Sequence, residues 1–323
     1  MSKLVLIDGN AILHRAFHAL PPLTTKRGEP INAVYGLISM LLKVILDLKP
    51  THIAVCFDRP EPTFRHKEFP EYQAQRPKTA NELSSQFEKA KAVLSAFGIP
   101  FYEKAGYEAD DVIGTIADLA VRGQRSEVSS EGKKGKTKLQ ALNSNKLVDD
   151  VVIVTGDRDQ LQLVTDRVKV YMPISGLSSA KLMGEEEVVE KMGVKPNLID
   201  DYKALVGDQS DNYSGVSGIG PKTAIALLDK YGSLQDIYKY LKDIPYGTAQ
   251  KLKKGEKDSQ LSKKLATIVK DVPIKVNIEG CAKWDVDSQK VLDLFHEFGF
   301  KTLTERVKKV GKALDLEKQT SLF

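Results

Sequence analysis

The chain has 323 residues, of which 41% are hydrophobic and 28% are charged, and its formal net charge is +5. This composition is ordinary for one large globular domain or two smaller ones. No apolar run reaches the length of a membrane span, and Asp8 interrupts the apolar start too early for a signal peptide. Cys56 and Cys281 are far apart in sequence, so we interpret both as reduced thiols of a cytoplasmic protein with no membrane association.

Three short apolar runs, each followed by acids, predict buried parallel strands. The runs 3–7, 52–57 and 151–154 are followed by Asp8, by Asp58, and by Asp157 and Asp159, respectively. The carboxyl ends of parallel strands meet at one edge of a sheet, where ligands of open α/β sheets bind. We therefore expect these acids to lie together.

The stretch 106–114 holds Glu108, Asp110 and Asp111, which puts three carboxylates into four positions. Ile113, Ile116 and other apolar residues follow at helical spacing, so the acids lie in the first turn of a helix. One interpretation is a helix N-terminus decorated with acids, which the helix dipole favours. The other is that these acids join those at the strand ends.

Residues 59–82 alternate basic and aromatic side chains, among them Arg65, Tyr72, Arg76 and Lys78. Basic side chains can bind the phosphates of a single nucleic-acid strand, and aromatic rings can stack on its bases. A solvated loop can have the same composition. The basic loop at Lys26 and Arg27 is a second candidate for DNA contacts. Residues 123–149 are rich in Gly, Ser and Lys, which predicts a flexible surface insertion.

Beyond two helical patterns, the stretch 207–212 contributes Asp208 and Asp211, and a glycine turn follows at 218–222. Gly218, Gly220 and Lys222 stand just before a predicted helix, whose backbone N–H groups can hold a phosphate without reading base sequence. A plain joint between two helices is the alternative. Residues 234–271 are helical and Lys-rich, residues 286–309 form two more helices, and the last dozen residues are polar and predicted to be loose.

Nine acids are thus candidates for one site in an otherwise basic chain. They are Asp8, Asp58, Glu108, Asp110, Asp111, Asp157, Asp159, Asp208 and Asp211. So many carboxylates need cations, and hard oxygen ligands without a histidine set indicate Mg²⁺ or Mn²⁺ rather than zinc. Two such ions about 4 Å apart suit phosphodiester hydrolysis, and the basic remainder of the chain attracts a polyanion.

In their order and spacing, these motifs resemble the 5′-nuclease family of bacterial DNA polymerase I and the flap endonucleases. The matching segments are 6–10, 57–58, 64–66, 106–111, 155–159, 207–212 and 218–222. The resemblance implies an α/β fold, with a PIN-like nuclease core around a mostly parallel sheet and a helical arch at about 59–82. It also implies a helix–two-turn–helix module that grips duplex DNA, with K⁺ at its glycine turn.

The resemblance also implies roles for single residues. Asp8, Asp58, Glu108 and Asp110 belong mainly to a first metal ion, and Asp111, Asp157, Asp159, Asp208 and Asp211 mainly to a second. Arg15, Arg65 and Arg76 match positions that contact phosphates near the cut, while Lys26, Arg27, Tyr72, Lys78 and the glycine turn are assigned to DNA. The chain departs from the family at Gln73, where a lysine that reaches the scissile phosphate is usual.

The function implied is a structure-specific 5′→3′ exonuclease and flap endonuclease acting on DNA in replication and repair, as a monomer at the nucleoid. The alternatives are a PIN-type ribonuclease and a non-catalytic protein that binds DNA junctions. We expect a catalytic core at 1–195, a DNA-binding region at 196–285, C-terminal helices at 286–310 and a tail at 311–323. Nothing within these residues predicts a polymerase.

The last five residues, Gln319 to Phe323, resemble the short Gln-x-Ser/Asp-Leu-Phe peptide by which bacterial repair proteins bind the sliding clamp. Leu322 and Phe323 have no evident core to join, and exposed apolar anchors often indicate a partner. We therefore predict that Gln319, Leu322 and Phe323 bind the clamp, with the preceding polar residues as a tether.

Overall fold

The computed structural model describes residues 1–122, 147–175 and 179–320. Within these described residues, a single six-stranded sheet has the strand order β3-β2-β1-β4-β5-β6, and only β6 runs antiparallel to its neighbour. The strands are β1 (Lys3–Asp8), β2 (His52–Cys56), β3 (Phe101–Tyr102), β4 (Asp150–Val154), β5 (Val168–Ser175) and β6 (Ser179–Met183). The predicted parallel core is confirmed, and the sequence analysis missed β5 and β6.

Fourteen α-helices lie in the part of the chain that the structure describes. They are α1 (Gly9–Ala19), α2 (Asn32–Leu48), α3 (Phe64–Glu68), α4 (Asn81–Ser84), α5 (Phe87–Ala96), α6 (Ala109–Arg122), α7 (Glu185–Met192), α8 (Ile199–Val206), α9 (Pro221–Tyr231), α10 (Leu234–Lys239), α11 (Tyr246–Lys254), α12 (Glu256–Ala266), α13 (Gln289–Phe298) and α14 (Lys301–Thr320). None of these helices is long and apolar enough to cross a bilayer.

Both faces of the sheet are covered by helices, which explains why its strands are apolar without alternation. In β1, Leu4 and Leu6 face one apolar cluster with α6, while Val5 and Ile7 face the other with α2. The side chains of a strand alternate between faces, so both sets are buried. The sheet is therefore held between two layers of helices.

The second half of the chain is helical and continues the same core. Helix α8 packs against α12 and α9, and Leu205, Leu228 and Ile237 belong to the apolar cluster on the α6 face. Gly207 and Gly215 meet at close range with positive φ angles of 78° and 61°. A side chain at either glycine would collide with the backbone, so this approach fixes the loop that carries Asp208 and Asp211.

Two predictions about irregular segments have different outcomes. Helix α14 continues to Thr320, and Arg306 of this helix contacts Ser39 of α2 at 3.1 Å, so the prediction that the last dozen residues are loose is wrong for residues 312–320. The Lys, Glu, Ala and Leu residues of this segment are strong helix formers, and their helix propensity outweighs the polar composition on which the prediction rested. The predicted insertion at 123–149 lies outside the described residues except for 147–149.

A buried ion pair attaches the segment predicted as the arch to the core. Arg65 of α3 donates two hydrogen bonds to the carboxylate of Asp111 in α6, at 2.7 and 2.9 Å. Arg65 also donates to the carbonyls of Leu265 and Thr267, and Asp111 accepts from the backbone of Val269. Three regions of the chain therefore meet at one satisfied pair of charges.

We expect Arg65→Met to lower the free energy of unfolding by about 3–5 kcal/mol, because it leaves Asp111 charged and buried without its partner. Urea denaturation measures this loss. The matched control is Arg59→Met, which removes an exposed ion pair with Glu61 and should leave the midpoint unchanged. A loss below about 1 kcal/mol for Arg65→Met would show that the pair does not hold these regions together.

Candidate metal and nucleic-acid site

The ends of the parallel strands bring the predicted acids together. Asp8 ends β1, where one carboxylate oxygen accepts from the N–H of Ala11 at 2.9 Å and the other from the hydroxyl of Thr155 at 2.7 Å. Asp58, just beyond β2, accepts from the N–H of Ala109 at 2.7 Å. Each acid thus satisfies a free N–H group in the first turn of a helix, α1 or α6, which fixes its orientation.

A cavity of about 580 Å³ opens at this edge of the sheet. We call it the acid cavity, because seven of the nine predicted acids line it: Asp8, Asp58, Glu108, Asp110, Asp157, Asp159 and Asp211. Arg76 and Gln73 line it from the opposite side. The prediction that strand-end acids and the first turn of α6 share one place is therefore supported by the geometry.

Crowding and burial make these carboxylates hard to ionise. Burial raises the pKa of Asp8 to about 7, and Asp58 and Asp157 add to the effect. Burial also raises the pKa of Glu108 to about 7, although Arg65 opposes it. Burial and the charge of Asp157 raise the pKa of Asp110 well above its ordinary value. The cavity thus holds more negative charge than the protein alone neutralises, which is the electrostatic condition for binding cations.

A second group of acids lies at one end of the cavity. Asp159, Asp208 and Asp211, which we call the aspartate cluster, offer oxygen atoms within 4.8 Å of one another. Lys203 of α8 lies between two of them, donating to Asp159 and, at 2.5 Å, to Asp208. The sequence analysis missed Lys203; its only signal was a lysine one turn before the end of a helix that leads into two acids.

The segment predicted as the arch closes over Asp211. Arg76 and Gln73 donate to the same oxygen of Asp211 at 2.6 and 3.2 Å, and the hydroxyl of Tyr72 donates to its other oxygen at 3.3 Å. Gln73 has a φ of +56°, which is uncommon for a residue with a side chain. The departure at Gln73 therefore places a neutral amide on an acid of the cluster.

Four predicted residues have a burial, a partner or a position that the sequence analysis did not expect. Asp111 is fully buried and occupied by Arg65, and neither side chain is free for a metal ion or a phosphate. Tyr72 is 3% exposed, so its ring is not available to stack on a base. Arg15 lines a separate cavity of about 510 Å³ with Gly156 and Arg158. Of the remaining predicted DNA contacts, Lys26, Arg27, Lys78 and Lys222 are exposed.

The glycine turn has the predicted form. Gly218 has a φ of +78°, Gly220 precedes the first residue of α9, and both are exposed. The carbonyl of Gly218 accepts from the ammonium of Lys251 at 3.1 Å. An exposed helix N-terminus beside lysines is suited to a phosphate backbone.

Divalent metal ions fit the donor set of the acid cavity and the aspartate cluster. All the acids offer hard oxygen ligands. Among the described residues, the buried hydroxyl of Tyr213 and the Oε1 atom of Gln160 have no hydrogen-bond partner. Burial and the charges of Asp159, Asp208 and Asp211 raise the pKa of Tyr213, which places its hydroxyl in the field of the cluster. The sequence gives no signal for either residue beyond its position within two residues of a predicted acid.

Comparison with known proteins agrees with these features. Residues 3–134 match the family described as 5′-3′ exonuclease, N-terminal resolvase-like domain, and residues 194–289 match the family described as 5′-3′ exonuclease, C-terminal SAM fold. The chain is 40% identical over 307 residues to DNA polymerase I of Caldicellulosiruptor bescii, covering 94% of this chain and 33% of that protein. It therefore spans about a third of that relative's length.

A relative of matching length is the 5′-3′ exonuclease of Aquifex aeolicus. The two chains are 36% identical over 327 residues, and the match covers 100% of each. The fold is similar to that of bacteriophage T5 5′-exonuclease with bound zinc (TM-score 0.62, 21% identity, 95% of this chain and 98% of that one). It is also similar to the catalytic core of Rad2 in complex with DNA substrate (TM-score 0.55, 16% identity, 96% and 91%). The chain belongs to the 5′-3′ exonuclease family.

Proposed function

We propose that the chain hydrolyses phosphodiester bonds of DNA at 5′ ends, nicks and flaps, with two divalent ions, Mg²⁺ or Mn²⁺, bound by its acids. The observation that carries this proposal is the acid cavity, to which three strand ends, the start of α6 and the loop after α8 together contribute seven carboxylates. Removal of RNA primers and flaps in replication and repair is the corresponding role at the nucleoid. The acids come from one chain, so a monomer suffices.

In this proposal, Asp8, Asp58, Glu108 and Asp110 hold the first ion, and Asp157 with the aspartate cluster holds the second. Bound ions supply a more acidic water and neutralise charge on the phosphate. Arg76 is half exposed at the cavity wall, so its guanidinium can pass from Asp211 to a phosphate. We assign Asp111 and Arg65 to positioning, because their mutual hydrogen bonds hold α3 against α6 beside Glu108.

The duplex part of a substrate is assigned to the glycine turn. Backbone N–H groups at the start of α9 and the ammonium of Lys222 suit two phosphates of one strand. We further propose that K⁺ binds at this turn, where it would compete with the ammonium of Lys251 for the carbonyl of Gly218. Lys26, Arg27 and Lys78 remain proposed DNA contacts, since they are exposed and basic.

One assay separates this function from the two alternatives. We expect Mg²⁺-dependent cleavage of a labelled 5′-flap DNA and little cleavage of a single-stranded RNA of the same sequence. Asp110→Asn should lower turnover by more than about 100-fold, beyond the effect typical of residues that merely support a metal ligand, while flap binding is kept or tightened. The control is Asp118→Asn, on the same helix, where Asp118 pairs with Arg122.

Preferred cleavage of the RNA would favour the PIN-type ribonuclease. Binding of the flap without cleavage in Mg²⁺ or Mn²⁺ would favour the junction-binding protein. Equal losses of binding and cleavage in Asp110→Asn would count against its assignment to a metal ion.

Metal removal should reveal the repulsion within the acid cavity. Two like charges about 4 Å apart cost roughly 4 kcal/mol at an effective dielectric of 20. We therefore expect Mg²⁺ to raise the thermal midpoint of the wild-type protein over its value in EDTA. Asp110→Asn should raise the midpoint in EDTA and reduce the gain from Mg²⁺, because the neutral amide removes both repulsion and a ligand.

Differential scanning calorimetry at one pH and ionic strength measures both midpoints. Asp118→Asn should keep the wild-type gain from Mg²⁺. A wild-type midpoint that does not respond to Mg²⁺ or Mn²⁺ would contradict the proposed metal site.

We also propose that the C-terminal peptide binds the bacterial sliding clamp. Gln319 is exposed in the last turn of α14, while Leu322 and Phe323 lie outside the described residues. Lys49 pairs with Glu317 at 2.6 Å, so the peptide follows an anchored helix rather than the polar tether that we expected. A docked clamp would raise the effective concentration of the nuclease at DNA without new active-site contacts.

Titration of purified clamp with the intact chain and with a chain lacking residues 319–323 tests this prediction. We expect the deletion to abolish clamp binding and to leave clamp-free cleavage unchanged. A Lys312→Ala control, on an exposed turn of the same helix, should bind as the intact chain does. Equal binding by the intact and shortened chains, or binding by neither, would contradict the prediction.

A further inference from the structure

The ammonium of Lys203 lies between carboxylates of the aspartate cluster, where a bound metal ion would be expected. Its ammonium contacts both Asp159 and Asp208, and its side chain is 9% exposed. The third carboxylate, Asp211, pairs with Arg76. The cluster therefore contains three acids and two protein cations, so much of its charge is balanced within the chain.

The two cations differ in their freedom to leave. The side chain of Arg76 is 50% exposed and belongs to the segment that closes over the cavity. Lys203 lies in α8, which packs against α12, α9 and α10, and its ammonium reaches the cluster from the protein interior. Arg76 can move out into solvent or onto a phosphate, whereas Lys203, with a side chain that is only 9% exposed, has little space into which it can leave the cluster.

A fixed ammonium affects a divalent ion in two ways. It occupies carboxylate oxygen atoms that would otherwise serve as ligands, and its charge repels the incoming ion. The buried hydroxyl of Tyr213, on which the charges of Asp159, Asp208 and Asp211 act, has no hydrogen-bond partner even with Lys203 in place. The cluster is thus suited to a further ion, but at reduced affinity.

We propose that Lys203 is a resident counter-ion that lowers the affinity of the second metal site. The aspartate cluster would then bind its ion only after the first ion is bound by the acids around Asp8 and Asp110. This inference rests on the proposed two-ion function, and Lys203 acts in it through the carboxylates rather than by contact with the substrate. It sets the order of loading through the charge of its ammonium. A purely structural lysine, by contrast, would hold Asp159 and Asp208 in place and thereby strengthen metal binding.

Manganese binding measured by electron paramagnetic resonance distinguishes these roles without reference to cleavage. Free Mn²⁺ is titrated against the wild-type chain and Lys203→Met in chelator-free buffer. We expect the wild type to bind one ion tightly and a second weakly, and Lys203→Met to bind the second at least tenfold more tightly. Lys203→Arg keeps the positive charge and should resemble the wild type.

The matched control is Lys263→Met. Lys263 contacts Asp201 of the same helix α8, outside the aspartate cluster, so its loss should leave both Mn²⁺ affinities unchanged. If Lys203→Met is poorly folded, the Mn²⁺ titration is made with Lys203→Gln instead, because its amide can keep a hydrogen bond to the acids without carrying a charge. Circular dichroism in EDTA and in Mn²⁺ establishes which variants are folded; folding that is restored by Mn²⁺ supports the inference.

An unchanged or weaker second affinity in folded Lys203→Met or Lys203→Gln, with two ions bound by the wild type, would overturn this inference alone. A wild-type chain that binds no Mn²⁺ would overturn the proposed metal-dependent function together with it.

Discussion

Electrostatic repulsion among carboxylates is the constraint on which the rest of this structure depends. The parallel sheet brings Asp8, Asp58 and Asp157 to one edge, and α6 adds Glu108 and Asp110. Burial raises the pKa of Asp8 and Glu108 to about 7, which shows how unfavourable the fully ionised site is. A fold that needed only stability would replace such groups with apolar or paired ones, so their accumulation indicates a requirement for bound cations.

The chain limits this repulsion with cations of its own, at three different depths. Arg65 is buried against Asp111 and joins α3 to α6. Lys203 is buried between Asp159 and Asp208, and half-exposed Arg76 contacts Asp211. The deepest pair organises the fold, and the outermost is free to exchange one anion for another. These charges reduce the repulsion among the acids, and we propose that they also adjust how the site accepts metal ions and phosphate.

The sequence predicted the parts of this arrangement that follow from chain geometry. Apolar runs ending in acids gave β1, β2 and β4 with Asp8, Asp58 and Asp157 at the correct edge, because the direction of parallel strands fixes where their ends lie. The role of Asp111 could not be read in this way. Neighbouring residues of a helix point about 100° apart, so Asp110 faces the cavity while Asp111 faces Arg65. Only tertiary contacts distinguish the two.

Other features were missed because their cause lies in distant residues. Lys203 became part of the site through the packing of α8, and the exposed edge strand β6 carries no buried apolar run to reveal it. The most direct test of the central claim, that these acids bind two divalent ions, is anomalous diffraction at the manganese edge from crystals soaked in Mn²⁺. The account predicts two peaks about 4 Å apart, one beside Asp8 and Asp110 and one beside Asp159 and Asp211. Absence of any peak within the acid cavity at saturating Mn²⁺ would contradict it.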